Sequence, residues 1–291
     1  MINKLQQFLI NLDTIKLSRI LTLFFILVHF QGLINRYPMI AIPTLIFATI
    51  GLIFPEARDK KFLWAGISTS FTIYIFLNWQ LIDNHIYLWG YWLLANVLSL
   101  FSRTPDETLK FSAKFLLMSC MLFAVYQKVN PSYLSGDFFY YTLLTDQRFF
   151  FISNLIDYNM IELIKENNFL LMDMKSYSKA VIFSAGPHIL NQIALFLTWY
   201  TIILEGIIFG LFALPRRIAH QWQHWFLFLF FTVYFILPIQ GFAYTLMNMG
   251  ITLVKKDDLL FKIIYIALIF YMFAFSETIV NYIFKIVDPT L

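Results

Sequence analysis

The chain is 291 residues long, 60% hydrophobic and 20% aromatic, and only 13% of it is charged. A water-soluble domain of this length needs no such apolar surface, whereas a set of lipid-facing helices does. The net charge of +4 comes from basic residues scattered in short loops, the pattern of membrane topology rather than of a nucleic-acid partner, and the single cysteine, Cys120, excludes an internal disulfide and a thiolate metal cluster.

Lys4, Lys16 and Arg19 precede the first apolar run, 20–30, which leads into Gln31, Gly32 and Leu33 rather than into the small residues of a cleavage site. This predicts a retained first span. Apolar windows follow one another at about 17–35, 39–54, 62–82, 86–101, 111–129, 189–214, 222–253 and 259–285. Each is close to the ~20 residues that a hydrocarbon core requires. They predict an all-α, polytopic membrane bundle of about eight helices in a single domain, 1–291. The seventh window holds Pro238 and Gly241, so a kinked helix is expected there rather than two spans.

An eight-span arrangement gathers Lys4, Lys16, Arg19, Arg58, Lys60, Lys61, Arg103, Lys110, Lys114, Arg216, Arg217 and Lys285 on one side. The opposite short loops hold only Arg36, Lys255, Lys256 and Lys262. Basic loops stay cytoplasmic, so both termini are expected inside a cell or inner membrane. Lys128, His85 and the segment of about 130–188 then belong to the outer side. That segment alternates polar residues with apolar clusters, which predicts one or two amphipathic helices on the surface or over a cavity mouth.

Two constellations carry ionisable groups at the ends of spans. In Trp79-x-x-x-Asp83-Asn84-His85-x-Tyr87-Leu88, an Asp or Asn precedes an apolar helix as an N-cap, and the imidazole falls in the first turn. By spacing alone this reads as a capped helix with an interfacial histidine and aromatic anchors. In Ala124–Gly136 the residue before Pro131 is driven out of the α region, so a helix ends at Asn130 with Lys128 in its last turn. Lys128 is either a lysine snorkelling to the headgroups or an amine in an apolar pocket, able to act as a base. Topology leaves both open.

The stretches DNHIYL (83–88) and AVYQKVNPSYLSGDFF (124–139) resemble signatures of the vitamin K-dependent γ-carboxylases and of the wider horizontally transferred transmembrane (HTTM) domain proteins. Those proteins carry an Asn-His-x-Tyr-Leu element and then a Lys-Leu-Asn-Pro-x-Trp-Leu-x-Gly element. TIILEGIIFGLFALPRRIA (201–219) is similar to their acidic residue within a span followed by a basic turn. The resemblance runs from about 60 to 250. It implies that Lys128 deprotonates a reduced quinone so that oxygen can attack it, generating a base strong enough to take a proton from a glutamate γ-carbon, to which carbon dioxide adds. It gives His85 a supporting catalytic place. It puts Asn84, Asp83, Tyr87, Trp79 and Glu205 at the substrate site. No metal is implied. Gln127 replaces one of two adjacent lysines of the vertebrate enzymes, Tyr133 stands where tryptophan is usual, and Phe230–Thr232 falls where relatives often carry a histidine.

Glu205, well inside a span, is read with equal weight as functional or as a structural hydrogen bond to another helix, with Arg216 or Arg217 as candidate partners. His220 and His224 share a helix face, but two histidines do not make a metal site, and Trp222 and Trp225 mark an interface. His29 and His188 read as core or interfacial residues. The expectation is a quinol-dependent membrane enzyme that modifies a small partner protein or secreted peptide at its outer face. The alternative is a non-catalytic membrane subunit that binds partner proteins in a larger complex. A transporter fits less well, since few polar groups lie at mid-membrane depth.

Overall fold

The computed structural model describes residues 13–146, 149, 153, 155–157, 159–177, 184–236 and 240–274. Among these the chain is all-helical, without strands. In chain order the helices are α1 (Thr14–Gln31), α2 (Pro38–Ile53), α3 (Lys61–Asn78), α4 (Asn84–Phe101), α5 (Pro105–Lys128), α6 (Pro131–Leu134) and α7 (Asp137–Thr145). They continue as α8 (Met160–Tyr177), α9 (Ile189–Ala213), α10 (Arg216–Phe231), α11 (Val233–Ile236), α12 (Gln240–Thr252) and α13 (Leu259–Ala274). Three of them, α1, α5 and α9, are long and apolar enough to cross a membrane, and α2 and residues 259–272 are shorter apolar helices. The protein is a helical membrane protein. The helices divide into two compact units, Met1–Leu117 with Gln240–Leu291, and Met118–Ile239.

In the first unit α1 to α4 pack in sequence, each against the next, and α12 packs against α1, α4 and α13. Asp13 starts α1 by accepting the Ile15 and Lys16 amides at 2.9 and 3.3 Å, satisfying donors that a helix start leaves open. Along α2 the small residues Ala41, Thr44, Ala48 and Gly51 are buried, while Met39, Ile42, Ile46 and Ile53 are exposed. Apolar side chains gain little by hiding from lipid, so close approach of small residues is what joins such helices. A Cβ at Gly51 would come within 2.7 Å of Leu23.

Interhelical hydrogen bonds supply the rest. Ser18 Oγ donates to Asn248 Oδ1 at 2.8 Å, Asn248 Nδ2 to Thr22 Oγ1 at 2.7 Å, and Trp92 Nε1 to the same Thr22 oxygen at 3.0 Å. Thr252 donates to Ser18 at 2.9 Å. With no water to compete, each of these groups needs its partner. Arg19, which the charge count assigns to a loop, is instead buried within α1, paired with Asp59 at 2.5 Å and donating to Ser99 at 3.4 Å.

In the second unit α7 packs on α9, and α8 on α7. Phe139, Leu143, Leu144, Phe149, Met160, Leu190, Ala194 and Leu197 form its apolar core. Asn167, fully buried on α8, donates to the carbonyls of Leu144 and Ser184 at 3.2 and 3.3 Å and accepts the Ser184 amide at 2.9 Å. The described part of 130–188 is therefore helical and stitched together, rather than a bare loop.

In the seventh apolar window α10 ends at Phe231, followed by the single turn α11 and then α12. Thr232 Oγ1 donates to the Leu229 carbonyl at 2.6 Å and bonds the Tyr200 hydroxyl at 2.7 Å. A threonine that bonds backward into the preceding turn competes with the helical ladder. Pro238, the expected kink, lies outside the described residues.

Candidate functional site

In the second unit the site is built from the end of α5 outward. Helix α5 stops at Lys128, and the chain reverses on Asn130. The Asn130 Oδ1 accepts the Tyr133 amide at 2.9 Å and the Ser132 hydroxyl at 2.8 Å, while its Nδ2 donates to the Gln127 carbonyl at 2.9 Å. One asparagine thus closes the helix before it and caps α6 after it, with Pro131 at the first helical position, where its missing N–H costs nothing. Gly136 then takes φ of 90° and lies against the backbone of Leu195, 3.1 Å from where a Cβ would stand. Only glycine adopts that conformation at low cost in so close an approach.

This course brings the Lys128 ammonium to Glu205, on the buried face of α9, in an ion pair. The Glu205 side chain is 5% exposed and that of Lys128 20%. Arg216 and Arg217, the other expected partners, have side chains outside the described residues; the carboxylate is matched by Lys128. The second oxygen, Glu205 Oε2, is buried without a hydrogen-bond partner among the described residues. The Tyr133 ring lies 5.8 Å from the Lys128 Nζ. Burial, followed by the nearby Glu205 charge, holds its phenol well above the usual tyrosine range. Cys120 lies within electrostatic reach of both Lys128 and Glu205.

The first unit holds the other expected residues. Asp83 occupies the N-cap position of α4, but its carboxylate makes no capping bond; its Oδ2 stands 3.9 Å from His85 Nδ1 instead. The Tyr87 hydroxyl donates to the Trp79 carbonyl at 2.6 Å, tying the end of α3 to the start of α4. Asn84 is the first residue of α4 and is exposed, as is Trp79. The His85 imidazole lies on Gly241, where a Cβ would come within 2.5 Å of Cδ2 and 2.8 Å of Nε2. On α1, the Nε2 of His29 is buried without a hydrogen-bond partner, as is the indole nitrogen of Trp89 on α4. His220 and His224 meet edge to face at 4.9 Å on α10, and no group of three potential metal ligands occurs among the described residues.

The structure therefore joins Lys128 to Glu205 and Asp83 to His85. Sequence reasoning missed the Tyr133 ring beside the Lys128 ammonium and the seat that Gly241 gives His85. The first had a signal, since the two residues flank the Asn130-Pro131 turn.

Chemically, a buried ammonium–carboxylate pair is a proton donor and acceptor in one. Passage of the Lys128 proton to Glu205 leaves a neutral amine and a neutral acid, with no net charge created in a low-dielectric setting. Compared with family models, curated proteins and solved structures, the chain has no match.

Proposed function

We propose that this protein is an integral membrane enzyme of the γ-carboxylase-like, HTTM kind. In this reading it has about eight spans, both termini cytoplasmic and 130–188 outside, and it uses a reduced quinone to modify a small partner protein or peptide at the outer face. The observation that carries the reading is the buried Lys128–Glu205 pair. Proton transfer within such a pair would give a neutral amine, the form that acts as a base, without creating net charge. The unpartnered Glu205 Oε2 fits a group that donates a hydroxyl hydrogen, as a quinol does.

The reduced quinone, when bound, would supply the reducing equivalents that turn oxygen into a strong base. The chain's own part is narrower. Glu205 receives the Lys128 proton; the neutral Lys128 amine takes one from the hydroxyl donor; Asp83 orients the His85 imidazole; Asn84, Tyr87 and Trp79 lie beside it in sequence to receive the substrate.

A second reading, a non-catalytic membrane subunit, is favoured by one observation. An exposed apolar face of α9, formed by Leu195, Phe196, Trp199 and Ile203, suits a partner's transmembrane helix. The two readings separate when the purified chain in lipid vesicles is given reduced naphthoquinone, oxygen, labelled bicarbonate and a glutamate-rich peptide. Label entering the peptide supports the enzyme. No label and no quinol consumption, with a stoichiometric partner co-purifying, supports the subunit.

A further inference from the structure

Glu205 on α9 takes the Lys128 ammonium, and the Tyr133 ring lies 5.8 Å from the same Nζ. That ring is held by its own neighbours, stacked on Phe138 at 5.1 Å and edge-on to Phe139 at 6.1 Å. The tight turn through Asn130, Pro131 and Gly136 is what folds Tyr133 back over the end of α5. An aromatic face at this distance attracts an ammonium and, being bulky, keeps water from it.

We propose that Tyr133 is a positioning residue for Lys128: held in its aromatic stack, it keeps the ammonium on Glu205 and closes that pair to water. The inference deepens the proposed function and rests on it for its purpose, since only a working amine needs to be held in this way. Tyr133 touches no substrate in this role. Its ring supplies the attraction and the cover, and Phe138 and Phe139 fix where the ring stands.

The test measures the chemical accessibility of Lys128 in the full chain, in lipid nanodiscs, with no substrate added. A membrane-permeant aryl fluoride that attacks neutral amines is applied, and modification is read lysine by lysine through peptide mass mapping. Tyr133→Leu is expected to speed modification of Lys128 by about tenfold relative to the other lysines. Tyr133→Trp restores a ring over the amine and is expected to return the rate to within about twofold of wild type. Tyr133→Phe keeps the ring without the hydroxyl and is also expected to stay within about twofold of wild type.

A Lys128 rate unchanged in Tyr133→Leu overturns the proposal. So does a rise shared by all lysines, which marks general loosening. If Tyr133→Leu does not fold, Tyr133→Met decides by the same criterion: an unchanged Lys128 rate overturns it. Because no quinol or peptide is present, failure here is distinct from failure of the carboxylase reading.

Discussion

Lys128, in the last turn of α5, pairs with Glu205 on the buried face of α9. That pair is energetically demanding. Removing an ammonium or a carboxylate from water is costly, and the cost is recovered only while both partners are present.

Breaking that pair from one side should therefore be worse than deleting it. Lys128→Met or Glu205→Leu alone is expected to cost about 3 kcal/mol, since each leaves a largely buried charge unmatched, whereas the double variant should lie near wild type. Denaturant or thermal unfolding in detergent across the four proteins gives the coupling. Additive single effects would mean that the two groups do not interact.

Gly241 is expected to tolerate no side chain while His85 is present. Gly241→Ala puts a Cβ into the imidazole and should cost about 1–3 kcal/mol, despite the better helix propensity of alanine. His85→Ala in the same chain should recover most of that loss. Melting temperatures of the two single variants and the double variant test this directly.

Gly136→Ala should destabilise the second unit by about 1–3 kcal/mol, because alanine pays for the left-handed backbone and also meets the Leu195 main chain. Proteolysis of the segment after α7, compared with wild type, should become faster. An unchanged melting temperature would mean that this turn relaxes freely.

Asn167→Ala leaves the Leu144 and Ser184 carbonyls and the Ser184 amide without the side chain that joins them. A loss of about 1–3 kcal/mol is expected, together with faster hydrogen exchange at Ser184. Unaltered exchange there would show that the amide is held by something else.

Much of the fold is legible in the sequence because hydropathy is a sum over neighbours, and each apolar window contains a helix. The end of α5 is legible too: Pro131 restricts Asn130, and the helix stops just before it. What sequence hides is pairing across distance. Arg19 looks like a loop cation but lies buried against Asp59, forty residues on, and the partner of Glu205 is seventy-seven residues away. The break at Thr232 was hidden for another reason. Proline is an obvious interrupter, whereas a threonine bonding back to Leu229 interrupts only once Tyr200 is placed beside it.

The account turns on whether the Lys128 amine does chemistry, and oxygen-dependent consumption of reduced naphthoquinone by the reconstituted chain measures that most directly. Wild type is expected to consume quinol in step with label entering the peptide, and Lys128→Ala, inserted in the membrane equally well, to do neither. Equal quinol consumption by Lys128→Ala and wild type would contradict it.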